Sequence, residues 1–205
     1  MNSKNTALLV IDIINSCAHK NCEIPARGIT FLKIRKMIPK LEKFIGDWRE
    51  KIGGLIIFTN TVPWRKKYLP DNINELYHDP KTRYYSKDTF GFPEKFYKIF
   101  PQKGDAVITK NSMDAFTNRK LEDILKKNKI RYLAVAGIFG DGCVLAVICG
   151  GFSRGYNFVI LKDLIETTDI KIRQKLLKLL KEYTWPVMYG KTITSNEFLK
   201  AWKLI

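Results

Sequence analysis

Two hydrophobic rhythms alternate along the chain. Short, near-continuous apolar runs occupy residues 7–14, 54–60, 105–110, 131–138 and 157–161, with a weaker sixth at 186–189. Between them, apolar residues recur every three or four positions. Ile34, Ile38, Leu41 and Ile45 do so within 29–48, Leu121, Ile124 and Leu125 within 120–128, and Leu176, Leu179 and Leu180 within 172–183. The first rhythm predicts buried strands and the second predicts amphipathic helices. Strands that are apolar throughout, and do not alternate with polar residues, belong to a parallel sheet covered on both faces. The predicted class is therefore α/β. Thr194, three positions before Glu197, predicts a capping box that opens a last short helix.

One stretch breaks the rhythm. From 61 to 100 the chain is polar, basic and aromatic, and Pro63, Pro70, Pro80 and Pro93 interrupt it. A connection of that length in a compact α/β domain usually carries function, as a lid or an assembly arm. No repeat or linker divides the rest, so residues 1–205 are expected to form a single domain with a long loop at 61–100.

Composition changes this picture little. Hydrophobic residues at 45% and charged residues at 27% suit a soluble globular protein. No run approaches the ~20 apolar residues of a membrane span, and no signal pattern opens the chain, so a cytoplasmic location without membrane association is expected. The formal charge of +16 raises nucleic-acid binding as a possibility. The basic residues are nevertheless spread along predicted helix faces, as in Lys126-Lys127-Lys129 and Lys171-Arg173-Lys175. A solvated surface accounts for that spread better than a reader of bases, so no specific nucleic-acid partner is expected. The four cysteines, Cys17, Cys22, Cys143 and Cys149, form neither a CxxC pair nor a disulfide scaffold.

Ligands of open parallel sheets bind beyond the carboxyl ends of the strands. The polar residues expected there are Asp12 and Asn15, Thr59 and Asn60, Lys110, and the run from Gly137 to Cys143. An acid, a lysine and a thiol at one edge make chemical sense. A thiol attacks as thiolate, so it needs a proton acceptor and a positive field. Asp12 would take the proton, Lys110 would hold Asp12 ionised, and the helix dipole behind Cys143 would lower the thiol pKa. Backbone N–H groups in the Gly-rich turn could bind an oxyanion. Each residue also has a plainer reading: Asp12 as a turn cap, Lys110 as a solvated strand end, Cys143 as small filler, and the glycines as a phosphate cradle. The run does not match GxGxxG, which weakens the last of these.

Three stretches together resemble the isochorismatase-like hydrolase superfamily, which includes nicotinamidases, N-carbamoylsarcosine amidases and isochorismatases. They are Ala7-Leu8-Leu9-Val10-Ile11-Asp12, then Val107-Ile108-Thr109-Lys110 followed by Asp114-Ala115-Phe116, and lastly Val135-Ala136-Gly137-Ile138-Phe139-Gly140-Asp141-Gly142-Cys143-Val144 with Asp163 further on. The resemblance implies a three-layer, Rossmann-like fold with a six-stranded, mainly parallel sheet. It implies a catalytic triad of Asp12, Lys110 and Cys143, a cis peptide before Phe139, and an oxyanion hole from the N–H groups of Phe139 and Cys143. Departures bear on substrate. The Asp-x-His metal pair of nicotinamidases is replaced after the second strand by Asn60-Thr61-Val62, so no catalytic metal and no cofactor are expected. The usual Thr before the acidic loop residue is Gly140, and the usual Gln two after Asp12 is Ile14.

The leading expectation is a metal-independent cysteine hydrolase that cleaves an amide or carbamoyl C–N bond of a small molecule. Trp64, Arg65, Phe116 and Phe139 are the expected substrate contacts. A hydrolase of an anionic ether metabolite is the alternative, motivated by the basic cluster Trp64-Arg65-Lys66-Lys67, and a nucleic-acid-binding protein on the same fold is the third. As in many members of the superfamily, a homo-oligomer (dimer or tetramer) is expected, with Tyr84, Tyr85 or Phe92 closing a neighbouring pocket.

Overall fold

The structure is a computed structural model in which residues 1–78 and 91–202 are described. Six strands form one sheet: β1 (Thr6–Ile11), β2 (Leu55–Thr61), β3 (Ala106–Lys110), β4 (Tyr132–Ile138), β5 (Asn157–Glu166) and β6 (Gly190–Ile193). Their order is β3-β2-β1-β4-β5-β6, and every adjacent pair is parallel. The helices are α1 (Asn15–Ala18), α2 (Leu32–Lys51), α3 (Asp71–His78), α4 (Arg119–Lys127), α5 (Leu145–Phe152), α6 (Lys171–Leu179), α7 (Trp185–Met188) and α8 (Ser195–Trp202).

Alternation along the buried strands feeds two cores. In β1, Leu8 and Val10 point to one side, where Ile34, Ile38, Leu41 and Trp48 of α2 and Phe198 of α8 cover the sheet. Ala7, Leu9 and Ile11 point to the other, against Leu121 of α4, Ile148 of α5 and Leu177 of α6. A strand buried on both faces has no polar face to display, which explains its unbroken apolar sequence.

Strand order reverses between β1 and β4, and the chain is pressed closest there. Gly137 pairs with Ile11. Its φ is +128°, and a β-carbon at this position would lie 2.2 Å from the Ile11 carbonyl oxygen. Only glycine meets both conditions. The pairing of β4 with β5 also shifts register between Val135 and Gly137.

Two sequence expectations are corrected. The weak run at 186–189 is mostly α7, and the sixth strand starts only at Gly190. Four residues with three apolar members are compatible with either state, and packing of Trp185 into the core decides for helix. In the stretch at 61–100, α3 occupies 71–78, residues 79–90 lie outside the described residues, and residues 91–100 return along the first core, where Phe96 meets Phe58 with ring centroids 5.8 Å apart. The expected capping box is present: Glu197 Oε2 accepts from the Thr194 N–H at 2.6 Å, and Thr194 Oγ1 accepts from the Glu197 N–H at 3.2 Å. No helix among the described residues is long and apolar enough to cross a membrane.

Candidate active site

Asp12 is the first residue beyond β1, Lys110 is the last of β3, and Cys143 lies in a π-helical turn, Gly140–Val144, between β4 and α5. The sheet brings all three together at its carboxyl edge. Lys110 Nζ lies 2.8 Å from Asp12 Oδ2, and it donates to Cys143 Sγ at 3.3 Å and to the Ser112 carbonyl at 3.0 Å. The ammonium thus makes two hydrogen bonds and one ion pair. The Lys110 and Asp12 side chains are 0% and 1% exposed, so the pair is shielded from water.

Asp12 is held from a second side. Thr59 Oγ1 donates to Asp12 Oδ1 at 2.7 Å and accepts from the Asp12 N–H at 3.1 Å. The backbone of Asp12 sits at φ +51°, in the left-handed region that a non-glycine residue enters at a cost. The two Thr59 bonds stabilise that conformation. Thr59 lies among the strand-end polar residues of the sequence, but nothing in the sequence marks it as the carboxylate's partner.

Electrostatics correct one expectation. The Cys143 thiol is not held low by the helix behind it. Burial pushes it up to about 12, Lys110 pulls it down, and the Asp12 charge pushes it up again. Although the residue is partly exposed, its sulfur has lost most of its water, and that is the largest influence on it. Burial works against the Lys110 ammonium, but the Asp12 carboxylate and then the Cys143 sulfur overcome it and raise its pKa above the usual lysine range. The resting site thus holds a protonated lysine beside a neutral thiol. Among the other thiols, Cys17 is buried beside Ser16 near enough to feel the charges of Asp12, Cys143 and Lys110, and burial raises its pKa far above the ordinary thiol range; Cys149 donates to the Tyr189 hydroxyl at 3.4 Å, and burial raises Cys22 to about 11.

The turn that carries Cys143 is pinned by a second ion pair that the sequence did not disclose. Asp141 accepts from Arg173 Nε and Nη2 at 2.6 and 2.7 Å, and from Thr167 Oγ1 at 2.5 Å. The Arg173 guanidinium also lies over the Phe139 ring, 4.9 Å from its centroid. The Phe139 carbonyl accepts from the N–H groups of Gly142 and Val144 at 3.0 and 3.1 Å. The Ile138–Phe139 peptide is cis. Gly140 has a packing reason: a β-carbon there would lie 2.4 Å from Leu177 Cδ1 and 2.9 Å from Ile165 Cγ2. Ile14 is likewise a core residue, fully buried, and its N–H bonds the Asp12 carbonyl at 2.8 Å.

The expected substrate contacts divide. Trp64 and Arg65 follow β2 at the same sheet edge: Thr61 pairs with Lys110, and the Val62 N–H bonds the Lys110 carbonyl at 2.9 Å. Phe116 is corrected to a packing residue. It is buried, stacks on Tyr156 at 5.6 Å, lies beneath the Arg154 guanidinium at 5.2 Å, and fills the space left by Gly151. The Phe139 ring is also buried, between Arg173 and Phe31, so its backbone is the part available to the site. A cavity of about 460 Å³ opens beside β2, lined by Asn60, Pro63, Glu94, Phe96 and Phe100 among others. Tyr84 and Tyr85 lie outside the described residues, and Phe92 packs on His19 of its own chain at 5.0 Å. Among the described residues, no group of three or more His, Cys, Asp and Glu is placed to hold a metal ion.

Comparison with known proteins identifies the family and the fold. The isochorismatase domain family model matches residues 6–194. The secreted isochorismatase effector Isc1 of Verticillium dahliae is 29% identical over 77 residues, 38% of this chain and 40% of that protein. N-carbamoylsarcosine amidase of an Arthrobacter species is 26% identical over 166 residues, 78% of this chain and 58% of the amidase. The matched regions thus span about half the length of these two relatives. A cysteine hydrolase from Pseudomonas syringae pv. phaseolicola 1448A superposes with a TM-score of 0.81 at 15% identity, covering 100% of this chain and 95% of that one.

Proposed function

The chain belongs to the isochorismatase family of hydrolases, and from that premise we propose that it is a cysteine hydrolase that cleaves a C–N bond of a small amide or carbamoyl compound through a thioester, without a metal. The observation that carries this reading is Lys110 Nζ seated between Asp12 Oδ2 and Cys143 Sγ, at 2.8 and 3.3 Å.

A neutral thiol beside a paired carboxylate sets the order of events. As Cys143 Sγ attacks the substrate carbon, its proton passes to Asp12, and Lys110 balances the negative charge gathering on sulfur. The oxygen of the tetrahedral adduct is received by the N–H groups of Phe139 and Cys143. The C–N bond then breaks, Asp12 returns the proton to the leaving nitrogen, and the amine departs. Water, deprotonated by Asp12, attacks the thioester and releases an acid and the free thiol. Lys110 remains an ammonium throughout, because a deprotonated lysine would leave the Asp12 carboxylate buried without a counter-charge.

The test is a panel of small amides and carbamoyl compounds, assayed by amine release together with the mass of the intact protein. Wild-type protein should show an acyl adduct on Cys143, and Cys143→Ala should lose both adduct and turnover. Persisting turnover in Cys143→Ala would sink the assignment. Hydrolysis of an anionic ether is the second reading, favoured by the position of Arg65 just past the strand end that pairs with Lys110. Preference of the wild type for carboxylated ethers, lost in Arg65→Ala, would establish it instead.

A further inference from the structure

α6, the π-helical turn Leu180–Thr184 and α7 run on as one helical rod from Lys171 to Met188. Its inner face is committed: Leu177, Leu180 and Trp185 are buried, and Arg173 grips Asp141. Its outer face carries Ile172, Leu176, Leu179, Tyr183 and Val187, at spacings of four, three, four and four, with Met188 beside them. These six residues are between 43% and 70% exposed. Together they show water about 700 Å² of largely apolar side chain, more than the ~300–600 Å² of the largest patch on a typical monomer and close to the ~800 Å² each partner buries in a standard interface.

The stripe is also symmetric about its own centre. Reversed and laid against itself about the Leu179–Leu180 bond, it sets Ile172 opposite Val187, Leu176 opposite Tyr183, and Leu179 next to the two-fold axis. A two-fold interface demands this self-matching, because the same patch must serve both copies. The charges flanking the stripe fit too. Lys178 and Glu182 face each other loosely along one rod at 4.0 Å and are both well exposed, and the reversed pairing brings each within reach of its opposite on the second copy. An anionic lipid surface would welcome Lys171, Lys175 and Lys178 but would repel Glu182 in their midst.

We propose that this chain forms a two-fold homodimer through an antiparallel pairing of its 171–188 rods. The rod then has two roles: its outer face binds the second copy while its inner face holds the turn that carries Cys143.

Sedimentation equilibrium of the full chain at micromolar concentration should give twice the 23.8 kDa of one copy. Leu176→Glu combined with Tyr183→Glu should raise the dissociation constant by about 100-fold or more, since both copies lose central apolar contacts, while the circular dichroism spectrum stays unchanged. Leu179→Cys should cross-link the wild-type-like dimer under oxidation, because the two sulfurs meet near the axis. A monomeric wild type, a dimer that survives the double substitution, or binding to phosphatidylserine vesicles without self-association would each overturn the proposal. The cross-link answers independently of whether the glutamate variant folds.

Discussion

Two carboxylates frame Cys143, Asp12 at the end of β1 and Asp141 within the turn itself, and their difference sets a candidate for chemistry against a candidate for scaffolding. Asp12 and Asp141 each accept from a threonine hydroxyl and each face a cation. Asp141 meets the planar guanidinium of Arg173, which occupies both oxygens in a bidentate grip. That geometry consumes the carboxylate's capacity and leaves a latch. Asp12 meets the single ammonium of Lys110, whose other donors go to the Cys143 sulfur and the Ser112 carbonyl. A point cation shared between carboxylate and thiol leaves the proton free to move between them. Under the proposed mechanism, the same acid is a strut under arginine and a base under lysine.

Breaking the reactive pair should have the largest effect. Asp12→Asn keeps the shape but cannot take the thiol proton, so kcat should fall about 10³–10⁴-fold, whereas Asp141→Asn should cost only about tenfold. Equal losses in steady-state assays would erase the distinction between base and strut. Lys110→Met leaves a carboxylate buried without its counter-charge and should destabilise the fold by about 3–5 kcal/mol, measured by urea denaturation. Arg173→Met, at a site where the arginine is 18% exposed and water can enter, should cost about 1–3 kcal/mol. Gly140→Ala tests the latch from its packing side. Its new β-carbon must displace Leu177 and Ile165, for an expected loss of about 1–3 kcal/mol.

A last effect is a pH dependence, confined to alkaline conditions. The Cys143 thiol is raised in the folded protein from the ordinary 9.0 to about 12, so the folded state holds its proton more tightly than the unfolded chain does. Its contribution to stability is present below pH 9 and is lost as pH climbs from 9 toward 12. The thermal midpoint should decline over that window, and Cys143→Ala should make the decline shallower. In the same window, the rate of iodoacetamide labelling at Cys143 should keep rising with pH past 9. A plateau near neutral pH would show a thiolate at rest and contradict the neutral-thiol site.

Much of this was legible along the chain, and the remainder has physical reasons for being hidden. The strands of the sheet centre announced themselves because burial on both faces leaves no polar positions, as Ala7 through Ile11 show. Asp12, Lys110 and Cys143 were legible as strand-end residues, since a parallel sheet puts all its carboxyl ends on one edge. Arg173 was not: it reads as one more surface lysine or arginine in a basic helix, and only the packing of Leu177 against Gly140 brings it to Asp141. The thiol's pKa was misjudged because the sequence reveals the helix start but not the protein packed around the sulfur. Phe116 was misplaced because an aromatic residue near a catalytic lysine looks the same whether it lines a pocket or stacks on Tyr156.

The reversal of strand order between β1 and β4 also bears on how the molecule comes into being. Along the chain Asp12 comes first, Lys110 follows only at the end of the second strand after it, and Cys143 comes later still, beyond the strand that inserts against β1. No early fragment contains the site, and the emerging thiol is at first an ordinary solvent-facing cysteine. Asp12 and Lys110 are brought to it only when β4 closes against β1, so under the proposed mechanism a chain stalled before that step has a thiol but no assembled site, and turnover is what certifies completed folding.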